Sequence, residues 1–272
     1  MLRQLFSFNG GVKPDPNKSD STREPIARLP LPPQLVVPLH QHIGGTPRPL
    51  VGVGERVLRG QRIGGADGNV SSAVHAPTSG RVVAVEPRLM PHASGLSAPA
   101  VVIEPDGEDR HVEREAFDWH AASPGEVRDF LRDAGVVGLG GAVFPSYAKL
   151  KPGKEGRLKT LVINGAECEP FITCDDLLMR ERAADMLKGI VAMRHMLQAE
   201  EVLIGIEDNK PEAVAAMSAA VKAVGENFEV IAVPTRYPAG GAKQLIRVLT
   251  GKEVPANKRS TDLGVQCFNV AT

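Results

Sequence analysis

The spacing of apolar and polar positions changes character twice along the chain. The first thirty or so residues, with Gly10-Gly11, Pro14, Pro16 and the polar run Asn17 to Arg23, carry no sustained apolar period. They predict an extended arm that wraps another part of the molecule or stays mobile. From Leu35 to about Glu104 the apolar residues fall in short stretches: Val51 to Val53, Arg56 to Leu58, Ala73 to His75, Arg81 to Val85 and Val101 to Ile103. Gly, Pro and Asp-Gly punctuate them, with Asp67-Gly68-Asn69 as hairpin material, which predicts a small β-sandwich or barrel.

The period then lengthens. Ser123-Pro124-Gly125-Glu126 has the order of a capped helix start, and Val127, Phe130, Leu131 and Ala134 recur at helical spacing before Gly135. Beyond it the pattern alternates: strand 160–163, helix from about 176 to 197, strand 202–206, helix 211–224, strand 228–233, helix 243–250. Strands alternating with helices of this length imply right-handed crossovers and a mostly parallel sheet. The fold class expected is therefore α/β, a β domain followed by a parallel α/β domain.

Composition narrows the function. Of 272 residues 42% are apolar, enough for one large domain or two modest ones. Lysine plus arginine balances aspartate plus glutamate at 32 each, so no charge excess points to nucleic acid or an anionic membrane surface. No apolar run approaches the roughly 20 residues of a membrane span, so membrane attachment is expected only through partners. Three cysteines, Cys168, Cys174 and Cys267, without a secretory leader point to a reducing, cytoplasmic compartment.

The densest glycine cluster runs from Gly135 through Gly138, Gly140 and Gly141 to Phe144-Pro145, with Lys149 close behind. It follows a helix rather than a strand, so the ordinary dinucleotide fingerprint does not apply. Two readings stay open on the residues alone: a backbone cradle for a phosphate or flat ring, and a helix end followed by a tight turn. Asn164-Gly165-Ala166-Glu167-Cys168-Glu169-Pro170 then places an amide and two carboxylates at the carboxyl edge of a parallel sheet, where open α/β folds bind ligands. Glu167 and Glu169, two apart, share a side if the segment is extended; the alternative is ordinary surface acids in a loop. Cys168 and Cys174 fit no common metal or redox spacing and are read as loop or buried thiols, and His75 as a packed or solvated residue.

Taken in order, these motifs carry a resemblance. Gly138 to Ser146 with Lys149, Asn164 to Pro170, Phe171 to Asp176, Ile206 to Glu212 and Tyr237 to Leu245 resemble the flavin and NADH loops of the flavin-carrying subunit of respiratory complex I. The resemblance is closer still to the C subunit of the Rnf/Rsx electron-transport complex, which also matches Gly11-Val12-Lys13-Pro14 and His75 to Gly80. It implies an N-terminal arm over 1–34, a barrel-sandwich hybrid over 35–108, an α/β FMN- and NADH-binding domain over 109–255, and over 256–272 the truncated start of a following segment. It implies FMN and NAD(H) as cofactors. Gly138, Gly140, Gly141, Lys149, Asn164, Glu167 and Gly240 are expected at FMN, with Asn269 at its phosphate end. Phe144, Glu169 and Tyr237 are expected to line the dinucleotide and flavin rings.

The same resemblance implies hydride exchange between NADH and flavin in an NAD:ferredoxin-type oxidoreductase, with the other Rnf/Rsx subunits as partners at the cytoplasmic side of the bacterial inner membrane. The family's 4Fe–4S clusters have no ligand set here: the three cysteines lack the spacing. Two positions depart from complex I subunits, Ala242 in place of an acid near the nicotinamide ribose and Phe268 in place of a polar residue. The β region also resembles biotinyl and lipoyl carriers, but no lysine lies between Lys18 and Lys149 to take a cofactor. The competing functions are a cobalamin reductase-like flavoprotein and a non-catalytic assembly scaffold of the same fold.

Overall fold

The short apolar stretches of the first half pair into two antiparallel sheets. In the computed structural model, which describes residues 3–151 and 158–272, these sheets belong to one of two compact units, Arg28–Lys149; the other is Met1–Ala27 together with Leu150–Thr272.

In the first unit, β1 (Leu35–Pro38), β2 (Arg48–Pro49), β3 (Arg56–Val57), β4 (Arg62–Gly65), β5 (Val74–His75), β6 (Gly80–Leu89) and β7 (Ser97–Pro105) form sheets of order β1-β7-β6-β3 and β2-β4-β5. Alternate inward residues, among them Val37, Ile63, Val74, Val82, Val101 and Ile103, make one apolar core. The stretch Val51 to Val53, expected as a strand, is a turn instead, with Gly54 at φ +95°. Asp67-Gly68-Asn69 lies in the β4–β5 connection, where Arg48 pairs with Asp67 at 2.9 Å. Helix α1 (Pro124–Asp133) starts on the expected capping box: Ser123 Oγ accepts from Glu126 N and Glu126 Oε2 from Ser123 N. It ends before Gly135, at φ +71°. A short α2 (Ser146–Lys149) follows. Residues 109–149 lie in the same compact unit as the sandwich. The physical reason is a set of bonds back to the β4–β5 connection: Arg132 donates to Gly68 O and Ser71 O, and Tyr147 Oη to Asn69 O.

In the second unit, β8 (Thr160–Gly165), β9 (Glu201–Glu207), β10 (Phe228–Val233) and β11 (Val265–Asn269) make a fully parallel sheet of order β10-β9-β8-β11. The helices are α3 (Cys174–Leu197), α4 (Pro211–Val224) and α5 (Ala242–Thr250), each close to its expected span; α3 is kinked at Arg182. Successive strand residues face opposite sides, so Val162 and Leu203 meet α5 through Leu245, Ile246 and Leu249. Gly165 instead faces Met179 of α3. Residues 256–272, expected to open a following segment, in fact supply β11, whose Val265 to Asn269 pair in register with Thr160 to Asn164.

The arm belongs to this unit. Leu5 and Phe8 pack against the α5-side core, Phe6 N donates to Val248 O, and Val12 bridges Tyr237 in both directions. No helix among the described residues is long and apolar enough to cross a membrane.

Candidate functional site

The chain builds β8, moves outward through β9 and β10, then returns to lay β11 on the other side of β8. Strand order therefore reverses at β8, and a crevice outside the carboxyl ends of strands at such a reversal is where open α/β sheets take ligands. Asn164, the last residue but one of β8, and Asn269, the last of β11, are register partners there.

Neither asparagine is idle. Asn164 Nδ2 donates to Gly240 O at 2.8 Å while its Oδ1 accepts from Ala166 N, tying the 238–241 loop to the loop after β8. Gly240 N donates to Cys168 Sγ, and a Cβ on Gly240 would stand 2.4 Å from Ala166 O, so only glycine allows this approach. Asn269 Nδ2 donates to Asp175 Oδ2 at 2.6 Å and its Oδ1 accepts from Ala271 N.

Glu167 is buried, and its carboxylate accepts from Asp175 N and Asp176 N at the start of α3 and from Cys174 Sγ. An acid at the end of a helix that offers free N–H groups is a favourable pairing. Glu169, by contrast, is exposed. The two acids do not share a side as an extended segment would have it, because the chain bends through Pro170 and Phe171, the latter at φ +66°. Tyr237, exposed, precedes a cis peptide to Pro238.

Glu167, Cys174 and Asp175 bring their ligand atoms within 4.8 Å of one another. Burial, against the bond from Asn269, pushes the Asp175 carboxyl up to about 6, with the Glu167 charge adding to the rise. Burial likewise raises Cys168, and burial with the bond to Glu167 pushes Cys174 to about 11, so both stay thiols at neutral pH.

Two lysines to which the sequence alone assigns no role lie at this edge. Lys210, fully buried, donates to Glu207 Oε2 at 2.7 Å, to Asn209 Oδ1 and to Glu167 O. Lys18, from the arm, donates to Glu167 O, Glu169 O and Ile172 O. Glu207-Asp208-Asn209-Lys210 falls within a matched motif, which is the available signal for Lys210; Lys18 offers none.

In the other unit, the glycine segment folds back on itself. Gly138 N donates to Phe144 O, Val143 N to Gly140 O, and Val137 bridges Pro145. Phe144 is half-buried, Gly141 has open space where a Cβ would stand, and Lys149 ends α2.

Comparison with known proteins bears on both units. The Nuo51 FMN-binding domain matches residues 131–272, and the RnfC barrel sandwich hybrid domain matches residues 6–108. The C subunit of the ion-translocating oxidoreductase complex of Pseudomonas aeruginosa is 52% identical over 100% of this chain and 35% of its own length. Its counterpart in Salmonella typhimurium is 47% identical over 99% of this chain and 36% of its own. The chain thus spans about a third of the length of these curated relatives. A solved NAD+-reducing NiFe hydrogenase chain is 23% identical over 56% of this chain and 29% of its own, with a TM-score of 0.48. The chain joins a barrel sandwich hybrid to a Nuo51-type FMN-binding domain, and it belongs to the family of C subunits of ion-translocating oxidoreductase complexes.

Proposed function

We propose that this chain is an electron-entry module that binds FMN and NAD(H) in a larger ion-translocating oxidoreductase and passes electrons toward a ferredoxin-type partner through the other Rnf/Rsx subunits. It would sit peripherally at the cytoplasmic side of the bacterial inner membrane. The observation that carries the reading is the reversal of strand order at β8, with Asn164 and Asn269 side by side at its carboxyl edge.

A further observation supports the fit of a flavin. Glu207 Oε1, at the end of β9, and Asn209 Nδ2, just past it, are buried and have no hydrogen-bond partner among the described residues, one being an acceptor and one a donor. Buried polar atoms of this kind call for a partner, and the edge of an isoalloxazine offers both kinds. Bound there, FMN would supply two-electron acceptance from NADH and one-electron release.

The residues divide the work. Asn164, Gly240 and Asn269 hold the loops that frame the flavin, and Glu167, whose carboxylate and carbonyl are both engaged, shapes the loop after β8. Glu169 and Tyr237, exposed, line the nucleotide side. For the glycine segment the proposal rests on sequence resemblance: Gly138, Gly140, Gly141 and Lys149 contact the flavin and Phe144 stacks on a ring. Lacking a cluster ligand set, the chain hands electrons to an artificial one-electron acceptor rather than directly to a ferredoxin. The test is to purify the chain, release and identify any flavin, and titrate with NADH. Stoichiometric FMN whose absorbance bleaches on adding NADH is expected; a colourless chain that neither retains nor takes up FMN overturns the reading and favours the scaffold.

A further inference from the structure

The arm delivers one charged side chain to the loop after β8. Lys18 opens a short 3-10 turn, Lys18–Asp20, and its Nζ donates to Glu167 O at 2.7 Å, Glu169 O at 2.8 Å and Ile172 O at 2.6 Å. An ammonium has three protons and no acceptor, so Lys18 spends its whole donor capacity on three carbonyls of a single bend. Among the described residues it forms no ion pair; its partners are the carbonyls. Around it, Ser21 Oγ donates to Phe171 O at 2.6 Å, Thr173 Oγ1 to Ser21 O, and Phe171 N to Pro16 O. Burial and the nearby Lys210 hold the Lys18 pKa below the ordinary lysine value.

The bend does not hold itself. Phe171 stands at φ +66°, a conformation that costs a residue with a Cβ roughly 1 kcal/mol or more, and its side chain is exposed, so no core packing repays it. Three carbonyls turned toward one point also repel one another unless a cation lies between them. We propose that Lys18 is a positioning residue for the nucleotide side of the site: by gathering these carbonyls it fixes the 167–172 bend, and with it the direction in which Glu169 presents its carboxylate. The inference rests on the reading that Glu169 meets the dinucleotide.

The experiment uses the whole chain loaded with FMN. Lys18→Met, Lys18→Arg, Ser21→Ala and Glu169→Gln are compared with the parent for flavin per chain, amide exchange over residues 168–173, and the NADH concentration that half-bleaches the flavin. Lys18→Met should keep its flavin, exchange faster in the bend and need about tenfold more NADH, the worth of one charge-assisted bond. Lys18→Arg should recover only part, because a planar guanidinium cannot meet three converging carbonyls as an ammonium does. Faster exchange with parental NADH affinity makes Lys18 merely structural and overturns the proposal; unchanged exchange shows that it does not hold the bend and overturns it too. If Lys18→Met does not fold, Ser21→Ala decides on the same two readouts with a smaller shift. Should Glu169→Gln also bleach like the parent, the nucleotide reading itself falls and takes the proposal with it. A weakened Glu169→Gln beside a parental Lys18→Met rejects the proposal alone.

Discussion

Asp175 shows what the crowding of acids at the start of α3 does to a single residue. It is buried beside the Glu167 carboxylate, and its pKa of about 6 lies above the roughly 3.9 of an unfolded aspartate. Between those two values the folded state holds more protons than the unfolded one. The stability linked to this group is therefore complete below about pH 4 and is lost as pH rises through about 6. Asp175→Asn keeps an acceptor for Asn269 and removes the charge. It should raise the unfolding free energy at pH 7 by on the order of 1–3 kcal/mol, with the gain vanishing below about pH 4. Melting both proteins from pH 4 to 7 checks this; a gain independent of pH would show that charge is not the cause. Asp175 lies inside a matched motif, but the sequence does not reveal its partner, since Asn269 lies 94 residues on.

At the scale of elements, the two loops at the carboxyl edge depend on one close approach. Gly240→Ala would drive a Cβ to 2.4 Å from Ala166 O, and backbone cannot yield as a flexible side chain can. The variant should break the Asn164 to Gly240 and Gly240 to Cys168 bonds, cost about 1–3 kcal/mol and lose FMN. Gly141→Ala meets nothing within 4 Å and should melt like the parent. Flavin content measured beside melting temperature separates the two effects: loss of FMN at parental stability in Gly141→Ala means that a ligand approaches there, and full retention removes Gly141 from the site. The elements themselves are largely readable. The capping box of α1 and the span of α4 rest on local spacing and local hydrogen bonds, and the span of β10 on local spacing. Val51 to Val53 departs from the strand expectation because two valines around a glycine do not reveal whether a ladder partner exists, and here the chain turns at Val53-Gly54.

For the molecule as a whole, the arm is a structural part of the parallel-sheet unit rather than an appendage. Phe6 lies against Gly251 and under Arg247, Phe8 under Arg236, and Arg3 pairs with Glu201 and Glu229. Removing residues 3–12 uncovers the α5-side core where Leu5 and Phe8 pack. At about 1–2 kcal/mol for each of these two partly buried side chains, the sheet unit should lose roughly 2–4 kcal/mol. Denaturant unfolding of the shortened and full chains measures the difference; an unchanged midpoint would mean that the arm contributes no packing energy.

What the sequence determined by itself was whatever repeats at short range: the alternation of strands with helices that makes the second sheet parallel, the turn-rich β texture of the first half, and the ordered motifs that identify the family. Tertiary structure alone decided the rest. The pattern of residues 109–149 does not say which unit they join, and bonds from Arg132 and Tyr147 to the β4–β5 connection settle it. Val265 to Asn269 could not be read as the strand that completes the sheet, because its partner, β8, lies about a hundred residues earlier. Lys18 was one lysine in a polar run, and its three carbonyl partners stand 149 to 154 residues away. Spacing reports the hydrogen bonds and burial that a segment can satisfy with its neighbours, whereas the partners of an ammonium, a buried carboxylate or an edge strand are chosen only when distant parts of the chain are packed together.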